Sequence, residues 1–496
     1  MKLSHILKNI TNVKITDCEI KNITLDSRKA NQGTLFCAIK GHNIDARKFI
    51  PQTIENNVTA ILADSDTTDY IELIDNTQVI YITNLNSKLS AIAGNFYSHP
   101  SKKTNLIGIT GTNGKTTISQ IISQWITILN HKAATMGTIG NGIYGNLTET
   151  ANTTGSALDI QENLAEFNSL GANYTTMEVS SHGLVQNRVD DLDFDITVFT
   201  NLTQDHLDYH NTMEEYFDAK ALLFTKFNSK YKIINSTDPY GQKLINKIED
   251  KDSIICITKK DECTNCAGNY VCLNTVEYNN QGTIISFNSS FGNGTLQTKL
   301  IGPFNVSNLL QALAAMFALG FNKEDICHAA NQLEPVVGRM EVFSKSNKPT
   351  IIIDYAHTHD ALEKALEAAR IHTLGELWCV FGCGGDRDTA KRPLMAQAAE
   401  QFADNVIITN DNPRTEDEDT ILNDVLAGIK NKDNVKVIKD RYEAIEYSIK
   451  NARKTDIILV AGKGHEDYQI FGTEKVHYSD RESACKVLKI SYKKGM

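Results

Sequence analysis

108-GITGTNGKTT-117 joins a short apolar run, 105-NLIGIT-110, to a segment of helical pattern that reaches about residue 130. A strand feeding a helix through a glycine loop is the repeating unit of parallel α/β sheets. Backbone N–H groups of such a loop, and of the helix start behind it, cradle phosphates. Lys115 can reach terminal phosphates, and the Thr116 hydroxyl can reach Mg²⁺. A strict Walker A spacing needs glycine at 109, where this chain has Ile109. Gly111, Thr112, Asn113, Gly114, Lys115, Thr116 and Thr117 keep the part that touches phosphate. A bare glycine turn with a solvated lysine leaves the strand context and the doubled threonine unexplained, so ATP with Mg²⁺ is the expected ligand.

Outward from this loop, strand candidates recur between helical stretches. On the C-terminal side they are 174-YTTMEVS-180, 195-DITVFTN-201, 231-YKIINS-236 and 253-SIICIT-258. Residues 266–300 change to an alternating pattern with Gly and Asn turns, which predicts a β-hairpin insertion or edge. A helix, 305-NVSNLLQALAAMFALG-320, follows and stops at glycine. On the N-terminal side, 34-TLFCAI-39, 58-VTAILAD-64 and 78-QVIYITN-84 predict strands, and 87-SKLSAIAGNFYSHPSKK-103 a helix stopped at His99-Pro100. Beyond residue 335, the runs 350-TIIIDY-355, 376-ELWCVFG-382, 405-NVIIT-409, 434-NVKVI-438 and 456-DIILVAG-462 are almost wholly apolar, as in buried parallel strands. The expected fold is therefore α/β with three domains. A small α/β domain covers 1–101, a central P-loop-type, mostly parallel sheet domain 102–334, and a Rossmann-like domain 335–496.

The 496 residues carry 41% hydrophobic and 22% charged side chains and a formal net charge of −10, a balance that argues against nucleic acid or an anionic membrane as partner. No stretch approaches 18 consecutive apolar residues, and 1-MKLSHILKNITNV-13 lacks the apolar core of a signal peptide. Among ten dispersed cysteines only 263-CTNC-266 has metal-like spacing, with Cys256 and Cys272 nearby. One CxxC alone is a weak zinc signal, so a polar hairpin with reduced thiols is expected.

Two further clusters carry chemistry. Glu178 sits at a predicted strand end, where open α/β sheets place ligands. Asp205, His206, Asp208 and His210 follow another strand. They read as Mg²⁺ or transition-metal ligands, or, for the aspartates, as caps of the next helix. Lys220, in 214-EEYFDAKALLFTKF-227, reads by itself as an ordinary snorkelling lysine. In 409-TNDNPRTE-416, Asp411, Asn412 and Pro413 explain a turn. Arg414 is not explained by it. It either pairs on the surface with 416-EDED-419 or holds something acidic.

Taken in order, 111-GTNGKTT-117, 151-ANTTGS-156, 178-EVSSHGLVQNR-188, 201-NLTQDHLDYH-210, 305-NVSNLLQALA-314, 337-VGRME-341, 354-DYAHTHDAL-362, 381-FGCGGDRD-388 and 411-DNPR-414 resemble the Mur ligase family, which builds peptidoglycan precursors. The resemblance spans essentially the whole chain. It implies ATP-dependent addition of meso-2,6-diaminopimelate to UDP-N-acetylmuramoyl-L-alanyl-D-glutamate through an acyl phosphate. It also implies a cytoplasmic enzyme, acting as a monomer, whose partners are small-molecule substrates.

The family's roles fall on numbered residues. Lys115 resembles the lysine at the transferring phosphoryl group. Thr116 and Glu178 resemble Mg²⁺ ligands, and His206 a ligand of a second Mg²⁺. Lys220 resembles a lysine carboxylated by CO₂, whose carbamate helps position the metal. Asn305 lies in the segment near adenine, Asp354 and His357 in the segment facing the nucleotide, and Arg339 approaches phosphate. Leu25, Ser27, His42, Asn43 and Ile44 would meet the uridine nucleotide, with Asn43 departing from the family's glutamine. Asn152, Thr153, Thr154, Ser180, Gln186 and Arg188 would hold the muramoyl dipeptide. Arg414, set by Asp411, Asn412 and Pro413, would take the distal carboxylate of diaminopimelate, with Arg387 as a second cation. Gly462 and Glu466 would complete that site. A planar guanidinium suits a carboxylate that lysine lacks. The alternatives are a lysine-adding ligase, a folylpolyglutamate synthetase-like ligase, and a non-enzymatic nucleotide-binding regulator. The first hundred residues, with 24-TLDSR-28, speak against the second.

Overall fold

The computed structural model describes residues 1–41, 44–150, 152–260, 266, 268–279 and 282–492, without the side chains of Asp208 and Asn279. His42, Asn43 and Cys263 therefore lie outside the described residues. The chain is mixed α/β and forms two compact units. Met1–Cys256 makes up nearly all of the first, and Tyr270–Phe317 with the chain from Phe321 onward makes up most of the second.

The first unit opens with a five-stranded sheet, in the order Asn22–Thr24, Thr34–Ala38, Ala60–Ser65, Thr77–Thr83, Tyr70–Ile74. The first four strands are parallel and the last is antiparallel. Leu35, Leu62 and Ile80 pack on one face against Leu85, Leu89 and Ile92 of the helix Leu85–Phe96. Phe36, Ile61 and Val79 fill the other face, so these strands read as continuous apolar runs. The helix stops at Phe96, earlier than expected. Ser98 and His99 turn left-handed, at φ 61° and 48°, and Pro100–Lys103 forms a 3₁₀ turn. The α conformation is disfavoured before proline, which is why the chain breaks ahead of Pro100.

The central sheet of this unit runs Tyr231–Asn235, Ile196–Phe199, Asn105–Thr110, Tyr174–Glu178, Ala133–Gly137, Gly140–Ile143, Asn146–Thr148. Its first five strands are parallel, and the last two form an antiparallel meander. Asn105–Thr110 lies between two later strands, so the chain order reverses beside it. Open α/β sheets bind ligands at the carboxyl ends of strands at such a point. The helix Lys115–Ile128 behind the glycine loop is buried from Thr116 to Ile126 and is fixed as part of the core.

The second unit contains the expected antiparallel strands, Asn269–Asn279, Gly282–Ser289 and Gly294–Thr298. Its main sheet runs Glu341–Phe343, Thr350–Asp354, Ile457–Ala461, Leu377–Phe381, Asn405–Ile408, Val435–Val437, with only the first strand antiparallel. Ile352, Phe381, Ile408 and Leu459 pack under Leu362, Leu366 and Met395 on one face, and Ile353, Val380 and Val460 under Ile445, Ile449 and Leu488 on the other. Cys272 is disulfide-bonded, against the expectation that the thiols are reduced. A disulfide sulfur is not a thiolate, so Cys272 is removed from any metal set. No helix among the described residues is long and apolar enough to cross a membrane.

Candidate active site

The glycine loop is held open by residues far away in sequence. Gly111 has φ 145°, and a Cβ there would stand 1.9 Å from the Thr200 hydroxyl oxygen. Only glycine fits that approach. Thr200 Oγ1 and Asn201 Nδ2 donate to the Asn113 carbonyl at 2.6 and 3.1 Å, and Asn113 N donates to Asn201 Oδ1 at 3.0 Å. Thr112 N donates to the Asn201 carbonyl. Gly114, at φ 89°, caps the start of the helix Lys115–Ile128.

Four predicted residues, Lys115, Thr116, Glu178 and Lys220, and two unpredicted ones, Gly137 and Thr138, meet below this loop. Thr116 Oγ1 donates to Glu178 Oε2 at 2.9 Å. Thr138 N donates to Glu178 Oε1 at 2.8 Å, and Thr138 Oγ1 to Oε2 at 3.1 Å. Glu178 is 1% exposed. Gly137 makes room for it, since a Cβ there would fall 2.2 Å from Oε1. Lys115 Nζ lies 2.8 Å from the Gly111 carbonyl and 2.9 Å from that of Thr112. Lys220 Nζ donates to the same Gly111 carbonyl at 2.9 Å and sits 4.5 Å from the Tyr216 ring centre. Sequence signals missed Thr138 and Gly137, because nothing in 137-GTIG-140 points to a carboxylate 40 residues on.

Lys220 is not a snorkelling residue. It is 1% exposed. Burial, and then the nearby Lys115 charge, hold its amine well below the ordinary lysine range. The reason is its place on the inward face of the helix Met213–Thr225, which the sequence pattern alone left undecided.

The aspartates at 205 and 208 were candidate helix caps. Thr212 takes that role for the helix Met213–Thr225, accepting from Glu215 N, while His206 opens the short helix Leu207–His210 at φ 53° without a side-chain cap. Asp205 accepts from His206 N instead. The exposed His206 ring lies 5.2 Å from that of His182. His210 is buried, with Nε2 2.8 Å from Ser181 Oγ. Among the described residues, no three His, Cys, Asp or Glu side chains gather as a metal site. The Thr116 hydroxyl and Glu178 carboxylate are hard oxygen donors beside a phosphate loop. That set fits Mg²⁺, which binds through one or two protein oxygens, its waters and phosphate.

Of the residues expected to hold the muramoyl dipeptide, Thr154, Ser180, Gln186 and Arg188 form one network. Thr154 Oγ1 donates to the Glu178 carbonyl and accepts from Ser180 N. Arg188 donates to the Thr154 carbonyl at 2.6 Å and, from Nε and Nη2, to Gln186 Oε1. Thr153 Oγ1 lies 3.2 Å from Thr138 Oγ1. A cleft joins Leu25, Asn152, Gln186 and Arg188 with Ile39, Asn86, Leu89 and Asp159. Its water-accessible volume is about 220 Å³. That is below the roughly 300–1,000 Å³ of a whole-ligand pocket, so it admits one segment of a long substrate. Ser27 is half-buried and Ile44 is 55% exposed.

Asn305, Arg339, Asp354 and His357 belong to the second unit. Asn305 Nδ2 donates to the Ile301 carbonyl at the start of the helix Pro303–Ala318. Asp354 accepts from Met340 N and Ala356 N, both at 2.8 Å, and burial raises its carboxyl. Arg339 stacks 4.3 Å from the Tyr355 ring centre, and His357 is exposed. Gly338 lets this turn touch the 464–465 backbone.

The turn at 409–416 follows the strand Asn405–Ile408. Arg414 has φ 54° and is pinned by the hairpin beside it, with N donating to the Ile470 carbonyl and O accepting from Gly472 N. Its guanidinium donates to the carbonyls of Gly385 at 2.8 Å and Asn412 at 3.4 Å. The surface-pair reading fails, because Glu416 takes the buried Arg392. Arg387 is exposed and flanks Gly384 together with Arg414. Asn412 Nδ2 donates to Glu466 Oε2 at 3.2 Å. A Cβ at Gly462 would approach Asp411 Oδ2 to 2.8 Å, and Pro413 lends its carbonyl to a close packing on Gly385. Lys463, which sequence reasoning passed over, is 0% exposed and sits among Asp411, Asn412 and Glu466. Burial raises the Glu466 carboxyl. Burial also acts to raise that of Asp411, but Lys463 and Arg441 hold it low.

Models of three protein domains match this chain: Mur ligase family, catalytic domain, over 19–97; Mur ligase middle domain, over 109–316; and Mur ligase, glutamate ligase domain, over 338–464. The UDP-N-acetylmuramoyl-L-alanyl-D-glutamate–2,6-diaminopimelate ligase of Haemophilus influenzae is 48% identical over 492 residues, covering 99% of this chain and 100% of that protein. A solved structure of a ligase of the same name superposes with a TM-score of 0.70 at 33% identity, over 97% of this chain and 98% of the other. A UDP-N-acetylmuramoylalanyl-D-glutamyl-2,6-diaminopimelate–D-alanyl-D-alanyl ligase from Acinetobacter baumannii, 16% identical with a TM-score of 0.64 over 98% and 96%, shares the fold. With three Mur ligase domain models matched in order and a relative 48% identical along almost its whole length, this chain belongs to the Mur ligase family.

Proposed function

We propose that this protein is an ATP-dependent ligase that joins meso-2,6-diaminopimelate to UDP-N-acetylmuramoyl-L-alanyl-D-glutamate in peptidoglycan precursor synthesis. The observation that carries the reading is the full-length 48% identity to a ligase named for that reaction. The turn at 411–414 supports the choice of amino acid. It sets a guanidinium, Arg414, near a mostly buried carboxylate, Glu466, through Asn412. An acceptor whose distal end bears both an ammonium and a carboxylate matches that pair. Lysine offers only the ammonium.

A free carboxylate resists amine attack and has no adequate leaving group. The γ-phosphoryl group of ATP moves to the peptide carboxylate, giving an acyl phosphate and ADP. The acceptor amine, having lost its proton, attacks the acyl carbon through a tetrahedral intermediate. Phosphate then leaves and the amide remains. The start of the helix behind the 111–117 loop holds the nucleotide phosphates while the Thr112 and Asn113 amides stay on Asn201, and Lys115 exchanges its loop carbonyls for the transferring group. Thr116 and Glu178 would hold Mg²⁺, with His206 at a second ion. The metal supplies charge neutralisation at the phosphoryl oxygens. The Lys220 amine, whose charged form burial disfavours, adds to CO₂ and loses a proton to become an anionic carbamate, a ligand of the carboxylate type.

Asn305, Arg339, Asp354 and His357 serve the nucleotide. Leu25, Ser27, His42, Asn43 and Ile44 serve the uridine end, and Asn152, Thr153, Thr154, Ser180, Gln186 and Arg188 the muramoyl dipeptide. Arg387, Asp411, Asn412, Pro413, Gly462 and Glu466 complete the acceptor site around Arg414. The division of labour follows domains at 1–101, 102–334 and 335–496, in a cytoplasmic monomer. The test is phosphate release by the purified protein with ATP, Mg²⁺ and the uridine-linked muramoyl dipeptide. Release dependent on meso-diaminopimelate is expected. No acceptor-dependent release with any diamino acid would end the reading, and equal use of lysine would shift it to the lysine-adding reaction.

A further inference from the structure

Lys463 has no side-chain surface in water, yet three polar side chains converge on its ammonium. Nζ lies 3.0 Å from Asn412 Oδ1, 3.3 Å from Glu466 Oε2 and 3.8 Å from Asp411 Oδ1. Asn412 Oδ1 also accepts from Ile470 N, and Asn412 Nδ2 donates to the same Glu466 oxygen. One lysine thus ties the 411–414 turn, the 462–466 loop and the 468–477 hairpin together. The neighbouring buried cation, Arg441, is already matched to Asp480 by two bonds of 2.8 Å. Arg441 also acts on Asp411, which leaves Lys463 as the cation hydrogen-bonded to the mostly buried Glu466 carboxylate. A charge taken out of water is costly unless paired, so Lys463 and Glu466 hold one another in place.

We infer that Lys463 is a positioning and specificity-determining residue of the acceptor site. It pairs with Glu466 at Oε2, so that the site takes the distal ammonium on Oε1. The inference rests on the proposed ligase reading. Both Lys463 and Asn412 meet Glu466 at Oε2, which leaves Oε1 as the oxygen for the incoming group. Without the lysine, Glu466 faces Asp411 with no cation bonded to it, and Asn412 loses the partner that orients its amide.

The test is Lys463→Met, which keeps the stem and removes the charge. The three KM values are measured across pH. The KM for meso-diaminopimelate is expected to rise at least tenfold, while those for ATP and the muramoyl dipeptide stay within twofold. The groups facing Glu466 are Lys463, Asp411 and Tyr355. Removing the cation raises the Glu466 carboxyl further, so the acid limb of kcat/KM for the acceptor moves to higher pH. A merely structural lysine would move neither the limb nor one KM alone. An unchanged acceptor KM, or an equal rise in all three, overturns the inference. If the single variant is too unstable to assay, Lys463→Met with Glu466→Gln carries the test. It is expected to fold, to use the acceptor poorly and to lose the acid limb. A double variant with wild-type acceptor KM and limb overturns the inference. Wild-type protein without acceptor-dependent phosphate release would instead overturn the ligase reading.

Discussion

The Lys220 amine donates to the Gly111 carbonyl 2.9 Å away, which ties a buried helix to the phosphate loop. A lysine whose amine is held well below its ordinary range binds fewer protons folded than unfolded. Its burial therefore costs stability at neutral pH, and the cost shrinks as pH rises toward the unfolded value of about 10.4. Lys220→Met is expected to unfold at higher denaturant than wild type near pH 7, and the gain is expected to shrink above pH 9. Each unit of depression corresponds to about 1.4 kcal/mol. The same substitution is expected to abolish ligation. Lys220→Ala, which leaves space, is expected to recover part of its activity when formate or acetate is supplied. Absence of rescue by any short acid would argue against the carbamate.

Glu178 and Gly137 test the phosphate centre by two routes. Glu178→Gln removes the anion and is expected to lower kcat about 100-fold or more. Gly137→Ala leaves the carboxylate but sets a methyl 2.2 Å from its oxygen, so Glu178 must swing away from Thr116 and Thr138. A similar fall in kcat is expected, with a stability loss of about 1–3 kcal/mol from overpacking. Near-wild-type turnover by Gly137→Ala would show that the position of Glu178 is unimportant.

The sequence made most of the parallel strands and the glycine loop legible because both are local, but the parallel strands Asn22–Thr24 and Ala133–Gly137 were missed. Apolar runs such as 105-NLIGIT-110 and 456-DIILVAG-462 need no partner to be recognised. Tyr70–Ile74, Gly140–Ile143, Glu341–Phe343 and the 468–477 hairpin were missed. They are edge or paired strands with polar or glycine-rich faces, and only their neighbours make them strands. The site divides in the same way. Lys115 and Thr116 announce themselves by spacing. Lys220 and Lys463 are buried by groups 109 and 51 residues distant, so a chemistry-bearing lysine read as a solvated one, or was passed over. Arg414 stood out because turn geometry does not require it.

Glu416 links stability to acid through the same turn. Its side chain binds Arg392 at both oxygens, and that bidentate bond holds its carboxyl at about 2 instead of 4.5. The depressed folded value means the contribution is present above pH 4.5 and lost as pH falls toward 2. Glu416→Gln is expected to flatten stability against pH across that window. It is also expected to cost about 1–3 kcal/mol at pH 7, because Arg392 is left with Asp424 as its one carboxylate beside the Gly384 carbonyl. Asp386 N donates to Glu416, so the loop carrying Arg387 loosens and the acceptor KM rises with it. Acid denaturation of the variant in parallel with wild type, at constant displacement, would count against this linkage.

Arg414 combines a left-handed backbone with the site's central guanidinium, and its two properties are separable. At φ 54° a residue with a Cβ carries a conformational cost of about 1–2 kcal/mol that glycine does not. Arg414→Ala keeps that cost and loses the charge. Arg414→Gly loses both, and Arg414→Lys keeps charge but not the planar fork. All three are expected to lower kcat/KM for meso-diaminopimelate by about 10- to 100-fold, the worth of a charged hydrogen bond of roughly 1.5–3 kcal/mol. The KM values for ATP and the muramoyl dipeptide are expected to hold. Discrimination against lysine is expected to narrow equally in the Ala and Gly variants, since neither can bind the distal carboxylate. The Gly variant is expected to be the more stable of the two. Restored acceptor use in Arg414→Gly would assign the loss in Arg414→Ala to backbone strain, and the guanidinium would then have no part in choosing the amino acid.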